Sequence, residues 1–241
     1  MKRAIAVAAL MALAACRAET APVKPTLYVL TSLPLLFDDG FAVGPAKGEA
    51  AVFLRAHYTL RPIDLPSQLP PGATLLAAQP RALPAEELVA LDAWVRGGGR
   101  LVLLADPLLE WPSKRPLGDR LRPPLSFADT GLLAHWGLRL DAPGERGPRT
   151  VTTDAEPSQK NGKRFDLKVV MVSPGSLVRE QGTCEVIFER TYSECSLGAG
   201  VALVVADADW LSDEAIATAK GNINPNLFAL GTVLRAASDY P

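Results

Sequence analysis

The chain has 241 residues, of which 48% are hydrophobic and 21% are charged, and its formal net charge is −1. This length and composition are typical of a globular protein with one large domain, so disorder is excluded as the main state. The 25 basic and 26 acidic residues nearly balance, whereas nucleic-acid binding needs a basic surplus on one face. We therefore expect no nucleic-acid partner.

The N-terminus reads as an export signal, with a charged start and an apolar run over residues 4–14. This run is shorter than the roughly 20 residues that a membrane-spanning helix needs. It ends in Leu-Ala-Ala-Cys at residues 13–16, which resembles the processing box of bacterial lipoproteins, where the leader is removed and the cysteine is acylated. The resemblance implies a signal peptide over residues 1–15 and lipid attachment at Cys16. An ordinary cleaved leader with a chance cysteine is the alternative.

Polar and proline-containing residues come next, and we expect residues 16–25 to form a tether between the lipid and the fold. Acyl chains on Cys16 would hold the protein on a membrane, because each buried methylene contributes about 0.8 kcal/mol. Arg17 follows the cysteine, and in such lipoproteins the absence of an aspartate there suggests transfer to the outer membrane. The predicted location is the periplasm-facing side of the outer membrane of a Gram-negative bacterium.

Short apolar strands then alternate with helical patterns across the first half of the chain. The predicted strands are 26–32, 58–64, 74–78 and 100–105, and the predicted helices are 48–57 and 84–96. The second helix is the clearest, because its apolar residues recur at helical spacing and three glycines follow it. The strand over 100–105 is continuously apolar, which is typical of a parallel sheet covered on both faces.

The second half changes pattern at residues 143–198, where loops rich in glycine, proline and charge interrupt strand-like runs. The elements predicted here are helices over 127–136, 211–220 and 226–237, and strands over 138–140, 165–172, 184–192 and 201–206. The order of elements predicts one doubly wound α/β domain over residues 26–241, with a mostly parallel sheet. We interpret residues 143–198 as a β-rich insertion in it.

Two cysteines follow the predicted processing site, Cys184 and Cys195, an even pair in a compartment expected to be oxidising. They would face each other across a hairpin if residues 188–191 form a two-residue turn, and this register allows a disulfide. Glu189 and Arg190 are poor residues for so tight a turn, so a longer or bulged loop is the alternative. We predict a structural disulfide, because the spacing is too wide for a Cys-x-x-Cys redox motif.

Residues 84–110 contain a helix pattern, a glycine pair, an apolar strand and then Asp106-Pro107. This segment resembles the class I glutamine amidotransferase-like fold, and it is most similar to the version without a nucleophile in GldG-type gliding-motility proteins and ABC-transporter auxiliary domains. Residues 132–140, 201–214 and 226–234 resemble later segments of the same fold. The resemblance implies a flavodoxin-like α/β architecture and a partner among envelope or transporter proteins.

Catalytic members of this fold carry a cysteine on a strained elbow after the same strand, and a histidine serves it. The matching position here is Asp106, and an aspartate cannot replace a thiolate as acyl acceptor. His57 and His135 lie on predicted helices and not after the closing strand, so the Cys-His mechanism lacks both components. The sequence has no G-x-S-x-G elbow, and residues 174–176 (Pro-Gly-Ser) are left for the structure to exclude. We predict no catalytic residue.

Several aspartates follow the carboxyl ends of predicted strands, where open α/β sheets place their ligands. Asp106 ends one strand, Asp207 and Asp209 follow another, and Asp38 and Asp39 follow the first. If three of them converge, Mg²⁺ or Ca²⁺ would suit them, because these cations select oxygen ligands. This possible cleft, formed by Asp106, Asp207 and Asp209, is the alternative to the simpler interpretation that follows.

Aspartates at strand ends commonly cap the next helix, and Asp209 or Ser212 is well placed to do so. The same kind of structural role suits His135 and Trp136, since a helix packs its aromatic residue against the sheet more often than against a ligand.

The irregular loop over residues 111–124 is a candidate partner surface. Four basic residues form a local cluster: Lys160, Lys163, Arg164 and Lys168. We interpret them as solvent-exposed charges of a loop. Contact with lipid headgroups or with an acidic partner is the alternative.

These patterns predict a membrane-anchored, non-enzymatic envelope lipoprotein that acts as a binding or accessory module, with an ABC transporter or in envelope assembly. We expect no cofactor and no dedicated metal centre. The alternative is a metal-assisted hydrolase of an envelope glycan or ester that uses Asp106, Asp207 and Asp209.

Overall fold

The computed structural model describes residues 23–39, 44–153 and 167–240. The predicted signal peptide, the lipid-attachment residue Cys16 and the first part of the tether lie outside the described residues. Most of the predicted basic cluster also lies outside them, and its remaining member, Lys168, is exposed. None of the helices in the described part of the chain combines the length and hydrophobicity needed to cross a membrane.

Eleven strands, numbered in chain order, occupy the described residues. They are β1 (Thr26–Thr31), β2 (Thr59–Pro62), β3 (Thr74–Ala78), β4 (Arg100–Leu104), β5 (Leu138–Asp141), β6 (Pro148–Thr153), β7 (Leu167–Val172), β8 (Ser176–Arg179), β9 (Cys184–Ile187), β10 (Tyr192–Leu197) and β11 (Gly200–Val205). Seven of them form one sheet in the order β2-β1-β3-β4-β11-β10-β9. Five neighbouring strands, from β2 to β11 in that order, are parallel, and β10 runs antiparallel to both of its neighbours.

Helices cover both faces of this sheet. They are α1 (Glu49–His57), α2 (Ala85–Arg96), α3 (Leu132–His135), α4 (Asp213–Thr218) and α5 (Pro225–Ser238). Because side chains alternate along a strand, Leu76 packs in one core with Leu230 of α5, while its neighbour Leu75 packs in the other with Leu91 of α2. The predicted α/β fold class, doubly wound around a mostly parallel sheet, is therefore confirmed.

The helix predicted over residues 84–96 is present, and the residues that predicted its two ends lie at those ends. Helix α2 begins after Pro84, and Glu86 and Glu87 lie in its first turn, where acidic residues favour the helix dipole. Gly97 caps its carboxyl end, and Gly98 then adopts a φ of 102°, which an L side chain rarely tolerates. Local sequence signals are sufficient for an element of this kind.

The helix predicted over residues 127–136 is wrong in its first half. The structure has only the four-residue α3 there, Leu132–His135. Oδ1 of Asp129 accepts hydrogen bonds from the N–H groups of Gly131 (3.1 Å) and Leu133 (3.3 Å), so this side chain turns the chain immediately before the helix. Phe127 instead donates its N–H to the carbonyl of Asp106.

The strands of the β-rich region are divided among three sheets. Its last two strands, β9 and β10, extend the main sheet, while β6 pairs with β7, and β8 pairs with β5. The single strand-like run predicted over 184–192 is in fact β9 followed by the turn into β10. Strands β6 and β8 were not predicted, because β6 begins with a proline and contains a single apolar residue, while β8 is only four residues long.

The predicted disulfide is present in the structure. Cys184 and Cys195 are directly opposite each other on β9 and β10 and are bonded. The N–H of Thr191 donates to the carbonyl of Phe188 at 3.0 Å, so the tight turn is the correct alternative. Glu189 and Arg190 both adopt positive φ, as a type I′ turn requires. Strand pairing and the disulfide therefore outweigh the poor turn residues.

Candidate functional site

Three of the predicted aspartates meet at the carboxyl ends of two neighbouring parallel strands. Asp106 follows β4 shortly after its end, and Asp207 and Asp209 follow β11. One carboxylate oxygen from each of the three lies within 4.8 Å of the other two. Their residues are 0%, 0% and 2% exposed, respectively. We call these three residues the aspartate triad.

The first member of the triad is tied to the backbone of two loops. Oδ1 of Asp106 accepts the N–H of Leu108 at 2.8 Å, and Oδ2 accepts the N–H of Ala208 at 2.9 Å. The side-chain amide of Gln79, at the end of β3, donates to the carbonyl of Asp106 and accepts its N–H. Asp106 therefore joins the segments that follow three adjacent parallel strands.

The other two members also accept backbone N–H groups. Asp207 accepts from Val172 at the end of β7 (2.7 Å) and from Trp210 (3.2 Å). Oδ2 of Asp209 accepts the N–H of Glu110 at 2.5 Å. Oδ1 of Asp209 is sealed from solvent and has no hydrogen-bond partner. No arginine, lysine or histidine among the described residues forms an ion pair with the triad.

Burial is the main cause of the raised pKa values of the three triad carboxyls. It raises the pKa of Asp106, which also shares a side-chain hydrogen bond with Asp207. It raises the pKa of Asp207 still further, with the charges of Asp106 and Asp209 adding to the effect. Burial likewise raises the pKa of Asp209 to about 7. Burial therefore favours the protonated form of each of these carboxyls unless another positive charge is supplied.

The aspartates after the first strand do not join the triad. Asp39 instead pairs with Arg115, at 3.1 Å, and accepts hydrogen bonds from the Ser113 hydroxyl and the Lys114 N–H. Asp38 and Asp39 both line a cavity of about 590 Å³ between α1, α4 and the loop after β4, which Trp111 also lines. The loop predicted as a partner surface is thus anchored at Asp39.

A second cavity, of about 420 Å³, lies where the strand order reverses, between the carboxyl ends of β1, β2 and β3. Ligands of doubly wound sheets bind at this place. Its lining includes Thr31, Ser32, Asp64, Arg81 and Arg115. Polar groups and both signs of charge are therefore available at this crevice.

Within the described residues, the structure does not bring a nucleophilic side chain close to a histidine that could act as its base. Asp106 is not among the residues with positive φ, so it does not stand on a strained elbow. Ser176 begins β8, while His57 stacks with Phe53 and His135 lies beside Asp92. The Pro-Gly-Ser segment thus has neither histidine next to it, and a serine-histidine site is excluded there.

The structural interpretations of two other predicted features fit the geometry. Ser212 caps α4 by accepting the N–H of Ala215 at 3.2 Å, while Asp209 does not cap this helix. Trp136 is buried against the sheet, and its indole N–H donates to Asp92 at 2.8 Å.

Sequence reasoning missed two buried polar residues at the site, Gln79 and Ser173. Both have positive φ, 44° and 49°. The Ser173 hydroxyl donates to Glu110 and accepts the N–H of Gly147, each at 2.8 Å. Gln79 follows a buried apolar strand in the sequence, and a polar residue in that position was the one available signal. The partners of both lie far away in sequence, so they could not be inferred.

Comparison with known proteins gives a family and a set of similar folds. A family model described as domain of unknown function DUF4350 matches residues 49–224. No curated protein matches the sequence significantly. Among solved structures, the chain is similar to an exo-β-1,4-mannosidase from Opitutaceae bacterium strain TAV5, with 13% identity, a TM-score of 0.52, and coverage of 88% of this chain and 36% of the mannosidase. The chain therefore spans about a third of that enzyme.

Two further similar structures match over nearly their whole length. A cytoplasmic protein from Salmonella typhimurium LT2 has 10% identity and a TM-score of 0.52, with 88% of this chain and 99% of that protein covered. A glutamine amidotransferase from Thermotoga maritima has 9% identity and a TM-score of 0.46, with 89% and 98% covered. At such identities the similarity concerns the fold alone.

Proposed function

The chain belongs to the DUF4350 family of domains of unknown function, and from this premise we propose that it is a lipid-tethered, non-enzymatic binding or accessory module of the bacterial cell envelope. The observation that carries the proposal is the state of Asp106. At the position where catalytic relatives of the resembled fold hold a nucleophile, its carboxylate is buried and accepts two backbone N–H groups. Such a side chain stabilises loops and is not exposed to a substrate.

The direction in which the chain enters the fold supports the tether. The described residues begin at Val23 and lead directly into β1 at the amino edge of the sheet. The cavities lie at the opposite, carboxyl edge, about 20 Å away for a strand of this length. A tether attached at the amino edge would leave the carboxyl edge free to face a partner.

Exposed apolar side chains support the loop after β4 as the proposed contact region. Leu117, Leu121 and Leu125 are 74%, 63% and 50% exposed on the same loop, and several large apolar groups exposed within one loop suit a protein partner. The partner class that the sequence resemblance suggests is an envelope or ABC-transporter protein, in the manner of the GldG-type auxiliary domains.

Acylation and fractionation in a Gram-negative host test the tether. Labelled palmitate should enter the wild-type protein and not Cys16→Ser, and this variant should leave the membrane fraction for the soluble periplasm. A wild-type chain that stays unlabelled and soluble would contradict the proposal.

Cross-linking in the same cells tests the contact region. The double change Leu117→Ser and Leu121→Ser should reduce cross-linking of the tethered protein to its membrane partner. Val89→Ser is the matched control, because Val89 is 69% exposed on α2, away from this loop. Equal cross-linking of all three proteins would exclude the loop.

Metal-assisted hydrolysis of an envelope glycan or ester is the second candidate, and the convergence of Asp106, Asp207 and Asp209 favours it. A catalytic ion needs an open coordination position that substrate can reach. Cleavage of envelope glycans or model esters by the purified protein, dependent on a divalent cation and lost in Asp209→Asn, would support this candidate over the first.

A further inference from the structure

We propose that the aspartate triad binds one divalent cation, preferentially Ca²⁺, which ties together the segments that follow β4, β7 and β11. The proposal does not depend on the lipid tether or on a partner. It rests on the spacing of the three carboxylates, on their missing counter-charge, on one orphan oxygen and on the cavity beside them.

The spacing fits a calcium coordination sphere. Ca²⁺ binds oxygen at about 2.3–2.6 Å, so two ligands on opposite sides of the ion are about 4.6–5.2 Å apart. The three carboxylate oxygens lie within 4.8 Å of one another, so all three can contact one ion. Mg²⁺ is the poorer candidate, because it demands near-ideal octahedral geometry, whereas Ca²⁺ accepts irregular coordination, and backbone N–H groups already fix the orientation of these carboxylates.

The missing counter-charge is the second argument. Three carboxylates buried in one place repel one another, and burial of an uncompensated charge is costly. Five backbone N–H groups reach the triad in the described structure, but no cationic side chain forms an ion pair with it. Each carboxylate oxygen has two lone pairs, so the oxygens that accept these N–H groups can also contact a cation.

An unpartnered buried oxygen is the third argument for a bound ion. Oδ2 of Asp209 is occupied by the Glu110 N–H, whereas Oδ1 is inaccessible to water and accepts no hydrogen bond. Buried carboxylate oxygens are otherwise almost always paired. A cation beside Asp106 and Asp207 would provide the missing contact.

A cavity of about 130 Å³ lies next to one member of the triad. Asp209 lines it together with Glu110 and Glu214, and its described lining contains no lysine or arginine. Negative walls of this kind concentrate cations. Since the triad itself is closed behind this cavity, we assign the ion a structural role.

The test uses the purified full-length chain after metal removal with EDTA. Calorimetry and thermal unfolding are measured with CaCl₂ and with MgCl₂. Ca²⁺ should bind one ion per chain and raise the Tm, with Mg²⁺ weaker. Asp209→Asn keeps an acceptor for the Glu110 N–H but lacks the charge, so its Ca²⁺ affinity should fall roughly tenfold or more, and its Tm should no longer respond.

Asp39→Asn is the matched control, since it removes a carboxylate at the same edge of the sheet that already has an arginine partner. Its Ca²⁺ response should equal that of the wild type. Two results would overturn the proposal: a folded wild-type chain that neither binds Ca²⁺ nor changes its Tm, or an Asp209→Asn variant that binds Ca²⁺ as tightly as the wild type. Either result leaves the proposed tether and partner role untouched.

Discussion

Two groups of carboxylates at the same edge of the sheet differ in burial and in the groups that contact their oxygens. Asp39 lies against the guanidinium of Arg115, with both side chains partly accessible. The aspartate triad is buried and accepts backbone N–H groups, but among the described residues no cationic side chain pairs with it and Oδ1 of Asp209 stays unpaired. The comparison teaches that position at a strand end does not decide the chemistry of an aspartate, because burial and the nearest cation do.

The largest expected difference between the two groups concerns stability. Asp106→Ala removes the acceptor for the N–H groups of Leu108 and Ala208, and each buried donor left without a partner costs about 1–3 kcal/mol. We expect the free energy of unfolding to fall by about 3 kcal/mol, as measured by urea denaturation with EDTA present. A loss below about 1 kcal/mol would mean that relief of charge repulsion offsets the lost hydrogen bonds.

The second prediction concerns pH in the absence of divalent cations. Burial raises the pKa of Asp209 to about 7 in the folded protein, and the unfolded value is near 4. The folded state therefore binds the proton more tightly, so stability falls as pH rises through 7 and is gained on acidification towards pH 4. Between pH 8 and pH 6 the gain should be about 1 kcal/mol.

Urea denaturation at several pH values, with EDTA present, checks this prediction. Asp209→Asn should flatten the profile, while Asp39→Asn should keep the wild-type slope. Stability that rises with pH across this range would contradict the raised pKa.

The smallest effect is expected at the paired group. Arg115→Gln breaks the contact with Asp39, which is partly solvated, so the free energy of unfolding should fall by about 1 kcal/mol or less. Salt screens such pairs, and the difference between variant and wild type should shrink between low salt and 1 M NaCl. A salt-independent loss of several kcal/mol would show that Arg115 has a larger role in holding the loop.

Local patterns predicted the parts of the fold that local forces determine. Helix α2 has its apolar spacing, acidic first turn and glycine stop in consecutive residues. The hairpin register of Cys184 and Cys195 followed from counting across a turn. The prediction for residues 127–136 failed, because Asp129 accepts hydrogen bonds that delay the helix, and helical periodicity does not reveal such a competing interaction.

The candidate site was predictable only in part. The positions of Asp106, Asp207 and Asp209 after apolar strands pointed to one edge of a parallel sheet. The roles of Gln79 and Ser173 were not predictable, because each acts through partners brought near by the fold. Whether Asp39 would join the triad also depended on Arg115, which is 76 residues away in sequence.

The sequence by itself determined the α/β class, most of the strands and helices and the pairing of the two cysteines, because these follow from periodicity and from residues close together in the chain. Only the tertiary structure decided which aspartates meet and what state they are in. Asp106 and Ala208 are 102 residues apart in sequence yet hydrogen-bonded. Proton affinity and cation binding depend on burial and on neighbouring charges, and both are properties of the packed molecule.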